Sequence, residues 1–152
     1  PPSLVKKNIV EKFLSRNVDK NKILFLDHQK NRHDHLELYN KIDLALDTFP
    51  FPGVTTSCEA VLMAVPVLTM KGYNFNSRCG ESININLKME DFIAENKNDY
   101  VSKAISWQHN FKTLEKIKKN LREKALSSPV FDTESFAKNF TNILREVYLE
   151  KF

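Results

Sequence analysis

Three absences narrow what this sequence can encode. No run of 18 apolar residues occurs among the 152, so no helix of membrane-spanning length is expected. No charged segment followed by an apolar one opens the chain, which removes an export signal from the reading. Cysteine is limited to Cys58 and Cys79, without CxxC or zinc-finger spacing. Both are expected on helices, as free thiols of a reducing cytoplasm. The first residues are "PPSLVKK", without a methionine, as expected of a piece cut from something longer.

What is present is an ordinary globular composition, 41% hydrophobic and 28% charged, at a length that suits one domain. The net charge of +4 favours acidic partners such as phosphates, but only weakly. Much of it comes from "FKTLEKIKKNLREK", residues 111–124. There Leu114, Ile117 and Leu121 form an apolar stripe, and the lysines take the opposite face. No aromatic residues interleave these charges, so a solvated helix face is expected rather than a nucleic-acid surface.

Apolar periodicity predicts a helix over Ser3 to Arg16, burying Leu4, Ile9, Val10, Phe13 and Leu14. "KILFL", Lys22 to Leu26, reads as a first strand, apolar on both faces as parallel strands usually are. A helix follows over Arg32 to Lys41, then a strand "IDLAL" over Ile42 to Leu46 and a loop from Asp47 to Val54. Thr55 to Ala64 reads as a helix, Pro66 to Met70 as a strand, and Asn76 to Leu87 as mostly helical. A short fourth strand is possible near Phe92 to Ala94. From about residue 97 the pattern is helical only: Asp99 to His109, Phe111 to Ser127, and Thr133 to Lys151 with Asp132 as N-cap. Alternating strands and helices predict an α/β fold with a three- to four-stranded parallel sheet. "KILFL", "IDLAL" and "PVLTM" are expected as neighbours, with the last helix packed back across them. So few strands suggest half of a doubly wound domain, with an open sheet edge that promotes self-association of the isolated chain.

The chemistry concentrates in "PFPGVTTSCEA". Gly53 permits a tight turn and close approach of a ligand. Thr55 and Thr56 sit at a helix start, where unpaired N–H groups and the helix dipole favour a phosphate. Glu59 follows one turn later, placed to accept from a ribose diol. Threonine is equally a common N-cap and glycine a common turn residue, so a purely structural reading stands beside this one. The loop after the first strand, "DHQKNRHDHLELY", clusters Arg32, His33 and His35. Loops after adjacent parallel strands meet at the carboxyl edge of a sheet, so Arg32 and His35 are expected near Thr55. His33 and His35, two apart on a helix, point to different sides, and no metal is expected.

The order "FLDHQKNRHDHLELYNKIDLALDTFPFPGVTTSCEAVLMAVPVLTM", "SRCGESI", "DYVSKAI", "SSPVFDTESFAKNF" resembles the catalytic region of the O-GlcNAc transferase and SPINDLY family. The resemblance covers nearly the whole chain. It implies a GT-B fold, two Rossmann-like halves across a cleft, with residues 1–152 forming most of the C-terminal, nucleotide-binding half. It implies an inverting, metal-independent transfer of sugar from a nucleotide donor to protein side chains. UDP-sugar is the donor expected, with GDP-sugar as the alternative.

By that resemblance His35 packs near the base, Arg32 contacts the nucleotide, and Lys30 falls where the backbone recognises the base edge. Gly53, Thr55 and Thr56 hold the diphosphate, Glu59 holds the ribose, and Arg78 is structural. No catalytic residue is expected within the chain. Val54 replaces a polar residue of relatives, Pro52 a frequent asparagine, and Ala64 a helix-ending glycine. The family's phosphate-binding lysine lies before residue 1. A non-catalytic nucleotide-binding or protein-interaction module that keeps the fold is the alternative. The partners implied are a nucleotide-sugar donor and, in the complete enzyme, an acceptor protein, in the cytoplasm and without membrane or nucleic acid.

Overall fold

A computed structural model describes residues 3–151. They divide into two compact units, one running up to His35 and the other starting at Leu36.

The first unit opens with α1 (Ser3–Leu14), in which none of the residues is buried; Leu4 is 66% exposed. The predicted helix is there, but among the described residues its apolar side is only partly covered: Ile9 and Val10 are half-buried, while Leu4, Phe13 and Leu14 are exposed. After two i→i−3 bonds, Arg16 N to Phe13 O and Asn17 N to Leu14 O, the chain turns at Asn17 and enters a short 3₁₀ turn (Lys20–Lys22) capped by the Asp19 carboxylate. "KILFL" is not a strand, and this corrects the sequence reading. Its backbone is extended at Ile23, yet it joins no ladder among the described residues. Ile23 and Phe25 are half-buried while Leu24 and Leu26 are exposed. A strand exists only where a partner strand takes its N–H and C=O groups, and an apolar run does not guarantee one. The unit is pinned instead by Lys6, which pairs with Asp27 at 3.1 Å and lies 5.7 Å from the Phe25 ring centroid. It ends in α2 (Arg32–Glu37), which crosses the unit boundary, and a 3₁₀ turn follows at Leu38–Lys41.

The second unit holds the sheet. β1 (Ala45–Leu46), β2 (Val67–Met70) and β3 (Ile93–Ala94) run parallel in the order β1-β2-β3. Ala45 pairs with Val67 and Leu46 with Leu68; Thr69 pairs with Ile93 and Met70 with Ala94. The sheet is thus three-stranded, built from "IDLAL", "PVLTM" and the short strand expected near Phe92. Between the strands lie α3 (Thr55–Leu62) and α4 (Cys79–Asn86), and after them α5 (Lys97–His109), α6 (Phe111–Leu126) and α7 (Thr133–Lys151). Asn96 caps α5 by accepting from the N–H groups of Asn98 and Asp99. Asp132 caps α7 as expected, accepting from Ser135 N at 2.9 Å.

The core joins Ala60, Val61, Val65, Val67, Ile83, Leu87 and Phe92 to Leu114, Leu121 and Ala125 of α6. Trp107 stacks on Phe92 with centroids 4.4 Å apart. Inside it Asn84 donates from Nδ2 to Val67 O and Phe92 O, tying α4 to β2 and to the residue just before β3. The basic face of α6 is more than solvated. Arg122 donates to Leu62 O at the end of α3, and Lys124 to Lys88 O just past α4. Cations at helix C-termini satisfy orphan carbonyls and oppose the helix dipole. Lys118 reaches Ile42 O and Asp43. These contacts account for part of the positive charge without a nucleic-acid partner.

The last helix does not pack back across the sheet. Every described residue of α7 is exposed, including Phe136, Phe140, Ile143 and Val147. Its apolar face shows that the helix is built to be covered, but periodicity alone does not say by what.

Three helices end in a left-handed residue that is not glycine: Asn17, Ala64 and Lys88, at φ of 61°, 60° and 51°. At Ala64 the bonds are those of a Schellman motif, with Val65 N donating to Ala60 O at 2.8 Å and Ala64 N to Val61 O at 3.1 Å. None of the three glycines has positive φ.

Candidate functional site

The loop from Asp47 to Val54 leaves the end of β1 and delivers the chain to the start of α3. Gly53 is fixed at both polar ends. Its N–H donates to Asp47 Oδ1 at 2.7 Å, and its carbonyl accepts from Ser57 Oγ at 3.0 Å. A Cβ at Gly53 would collide with the Thr56 hydroxyl and lie 2.8 Å from Ser57 Oγ. The constraint here is space and not left-handed backbone: a side chain at 53 would require the Thr56 and Ser57 hydroxyls to shift. Pro52 before it is buried.

α3 then begins without a side-chain cap, because Val54 holds the N-cap position and offers no acceptor. The first N–H groups of a helix have no intrahelical partner, and Ser, Thr, Asp or Asn at the cap normally takes one of them. Here Thr55 and Thr56 follow the cap instead, both exposed. Glu59, half-buried one turn later, lies against Tyr39. The Tyr39 hydroxyl donates to Thr56 O at 3.2 Å. Burial, then the charge and hydrogen bonding of Glu59, push the Tyr39 phenol above its ordinary pKa. Gly53, Thr55, Thr56 and Glu59 are thus gathered on one helix start, as expected.

Lys30, Arg32 and His35 belong to the first unit. Asn31 caps α2 reciprocally: its Oδ1 accepts from Asp34 N, and its Nδ2 donates to the Asp34 carboxylate, each at 2.8 Å. Arg32 and Lys30 are exposed, while His35 is half-buried with its N–H donating to Asn31 O.

Several residues that organise the site were missed. Asp47 takes bonds from Gly53 N and, at 2.9 Å, from the Thr69 hydroxyl of β2, while its peptide oxygen accepts from Tyr100 at 2.8 Å. Burial raises the Asp47 pKa against the lowering effect of those donors. Tyr100 is pushed up to about 12, first by burial and then by Asp47. An aspartate at the carboxyl end of a strand, just before a Pro-Gly turn, was the available signal for this anchor.

Arg78 forks onto the buried Glu81 at 2.6 and 3.0 Å. Lys71 approaches the same carboxylate at 3.9 Å. The hydrogen bonds from Arg78 hold Glu81 below the usual carboxylate range. A cavity of about 650 Å³ opens beside Val54, between α3 and α4, with Cys58, Tyr73, Phe75 and Ile83 in its walls. Burial, then the charge of Glu59, raises the Cys58 pKa above the ordinary thiol value.

Comparison with known proteins agrees with this architecture. A Hordeum vulgare protein named "Probable UDP-N-acetylglucosamine--peptide N-acetylglucosaminyltransferase SPINDLY" is 36% identical over 116 residues, 76% of this chain and 12% of that protein. Its Arabidopsis thaliana counterpart of the same name is 33% identical over the same share of this chain and 13% of its own length. This chain therefore spans about one eighth of these relatives. A solved Thermobaculum terrenum O-GlcNAc transferase, the K341M mutant, superposes with a TM-score of 0.82 at 28% identity. It covers 96% of this chain and 27% of its own, and its fold is GT-B. The sequence model of glycosyl transferase family 41 matches residues 2–140. With that match and that superposition, the chain belongs to glycosyl transferase family 41, among the O-GlcNAc transferase and SPINDLY proteins.

Proposed function

We propose that this chain is the nucleotide-diphosphate-sugar-binding part of an inverting glycosyltransferase that modifies protein side chains. The observation that carries the reading is the start of α3: a helix N-terminus without a side-chain cap, flanked by two exposed threonine hydroxyls on a loop pinned by Asp47. Orphan amides and the positive end of the helix dipole favour an anion there. As the bond from sugar to diphosphate breaks, negative charge grows on the leaving oxygen. Donors already oriented towards it stabilise that charge without reorganising. Thr55 and Thr56 add hydroxyl donors, Glu59 held by Tyr39 accepts from the ribose, and Lys30, Arg32 and His35 serve the base. The names of the relatives support a UDP-sugar donor and a peptide acceptor. GDP-sugar is the alternative donor. The two free cysteines support a reducing compartment, the cytoplasm. Among the described residues no helix is long and apolar enough to cross a membrane.

Val54 favours a second reading, a nucleotide-binding module without transfer, because an apolar side chain stands where a phosphate would gain a polar contact. One assay separates the two. The complete protein is given radiolabelled UDP- and GDP-sugars with a protein lysate, beside its Thr55→Val, Thr56→Val double variant. Label incorporated by the wild type and lost in the variant is the expected result. Nucleotide binding without incorporation would establish the second reading, and incorporation untouched by the double substitution would overturn the site.

A further inference from the structure

We infer that Asp47 is the positioning residue of the α3 helix start, setting by its hydrogen bond to Gly53 N the first of the two peptide planes that lead into Thr55 and Thr56, the second being held by Ser57. The inference rests on the reading of that helix start as a diphosphate site.

The geometry is that of a two-sided clamp. Asp47 is the first residue after β1, and its own N–H is still in the sheet, donating to Leu68 O at 2.9 Å. The backbone of Asp47 therefore moves with the sheet. Its carboxylate then divides between two donors: Oδ2 takes the Thr69 hydroxyl on the central strand, and Oδ1 takes Gly53 N, six residues on. The first bond holds the carboxylate still and the second transfers that position to the loop. On the far side of the same residue, Ser57 Oγ holds the Gly53 carbonyl. The peptide before Gly53 and the peptide after it are thus each fixed by a side chain. Thr55 and Thr56 follow within three residues, so the direction in which the first α3 amides point depends on this anchor.

The surroundings leave little room for the carboxylate to move. Gly80 of α4 faces it so closely that a Cβ there would collide with the Thr69 hydroxyl and lie 2.6 Å from Asp47 Oδ2. Tyr100 of α5 donates to the Asp47 peptide oxygen from another direction. Alanine at 47 would free the Gly53 N–H and leave Gly53 held by Ser57 alone. Asparagine would keep the clamp: its amide oxygen accepts from Gly53 N, and its NH₂ group turns to the Thr69 oxygen.

The test uses the complete protein as wild type, Asp47→Ala, Asp47→Asn and Thr69→Val. Dissociation constants for UDP and GDP come from calorimetry, and donor KM and kcat from the transfer assay. Asp47→Ala is expected to raise the nucleotide dissociation constant and the donor KM at least tenfold, with the acceptor KM unchanged. Asp47→Asn is expected to return both to within threefold of wild type. Should Asp47→Ala not fold, Thr69→Val, which keeps the side-chain shape and removes one anchor, is expected to weaken nucleotide binding threefold or more. Asp47→Ala, or Thr69→Val in its place, with unchanged nucleotide affinity would overturn the role. So would an Asp47→Ala protein with a lower maximal rate and the wild-type donor KM, the mark of a smaller folded fraction. An asparagine variant as weak as alanine would overturn the hydrogen-bond mechanism. Wild-type protein that binds neither UDP nor GDP would overturn the site reading and this role together.

Discussion

Replacing Ala64 by glycine is expected to stabilise the protein, although it removes a side chain and adds no contact. Ala64 follows the C-terminus of α3 at φ 60°, in the left-handed position of a Schellman motif whose two hydrogen bonds are both made. There the Cβ of an L-residue crowds the following carbonyl, at about 1–2 kcal/mol relative to ordinary backbone. Glycine has no such cost. Against this, glycine gives the unfolded chain more freedom to lose, about 0.4–1 kcal/mol. The difference leaves a net gain of roughly 0.5–1 kcal/mol for Ala64→Gly. For a chain of this size that corresponds to a rise in Tm of about 1–4 °C. The assay is urea unfolding with a thermal melt on the same samples, where the midpoint should rise at unchanged slope. Lys88, at φ 51° after α4, provides a parallel site with the same bond pattern, Met89 N to Asn84 O and Lys88 N to Ile85 O. A lower midpoint for Ala64→Gly would refute the argument, since it would mean that the alanine methyl contributes more than the backbone conformation costs.

Further outcomes are expected of other elements. Because the folded pKa of Glu81 is depressed, chiefly by Arg78, its stabilising contribution is present above its unfolded pKa of about 4.5 and is lost as pH falls through the folded value. Glu81→Gln should flatten the acid limb of the urea midpoint against pH; an unchanged limb would contradict the pairing. Asp47 runs the other way: its folded pKa is raised, so its contribution is present below its unfolded pKa and is lost as pH rises through the folded value. The isolated chain should self-associate through exposed apolar surface such as Phe140 and Ile143 of α7. Sedimentation of Phe140→Glu, Ile143→Glu should show more monomer than wild type, and a wild-type chain monomeric at high concentration would contradict this. The same chain should bind nucleotide only in the high micromolar range or weaker and transfer no sugar, because holding acceptor against donor supplies about 7–11 kcal/mol of barrier reduction that it cannot provide alone. Label transferred by the isolated chain would show otherwise.

Local chemistry was the legible part of this sequence. The Thr55 helix, the "PVLTM" strand, the α6 stripe of Leu114 and Leu121, and the Asp132 cap follow from residue type and period within a few positions. Ala64 was marked only through the resemblance, as standing where relatives end the helix with glycine; its left-handed backbone is what the structure adds. What escaped was pairing over distance. "KILFL" has strand composition but no ladder partner, and period cannot reveal a missing partner. The apolar faces of α1 and α7 were read correctly as faces and wrongly as buried, since amphipathicity records a tendency and not the surface that satisfies it. At the site, the threonines announced themselves by their place at a helix start. Asp47 did not, because its role depends on Thr69, 22 residues away, and on Tyr100, 53 away.

The central claim is that a nucleoside diphosphate sits at the start of α3. Titrating UDP, and separately GDP, into isotope-labelled protein while following backbone amides tests it most directly. The largest shifts are expected at Gly53 through Glu59. Thr55→Val with Thr56→Val is expected to weaken binding by about 2–3 kcal/mol, roughly 30- to 150-fold, at about 1–1.5 kcal/mol for each lost hydrogen bond. Shifts confined to residues far from Gly53–Glu59, with affinity unchanged in the double variant, would contradict it.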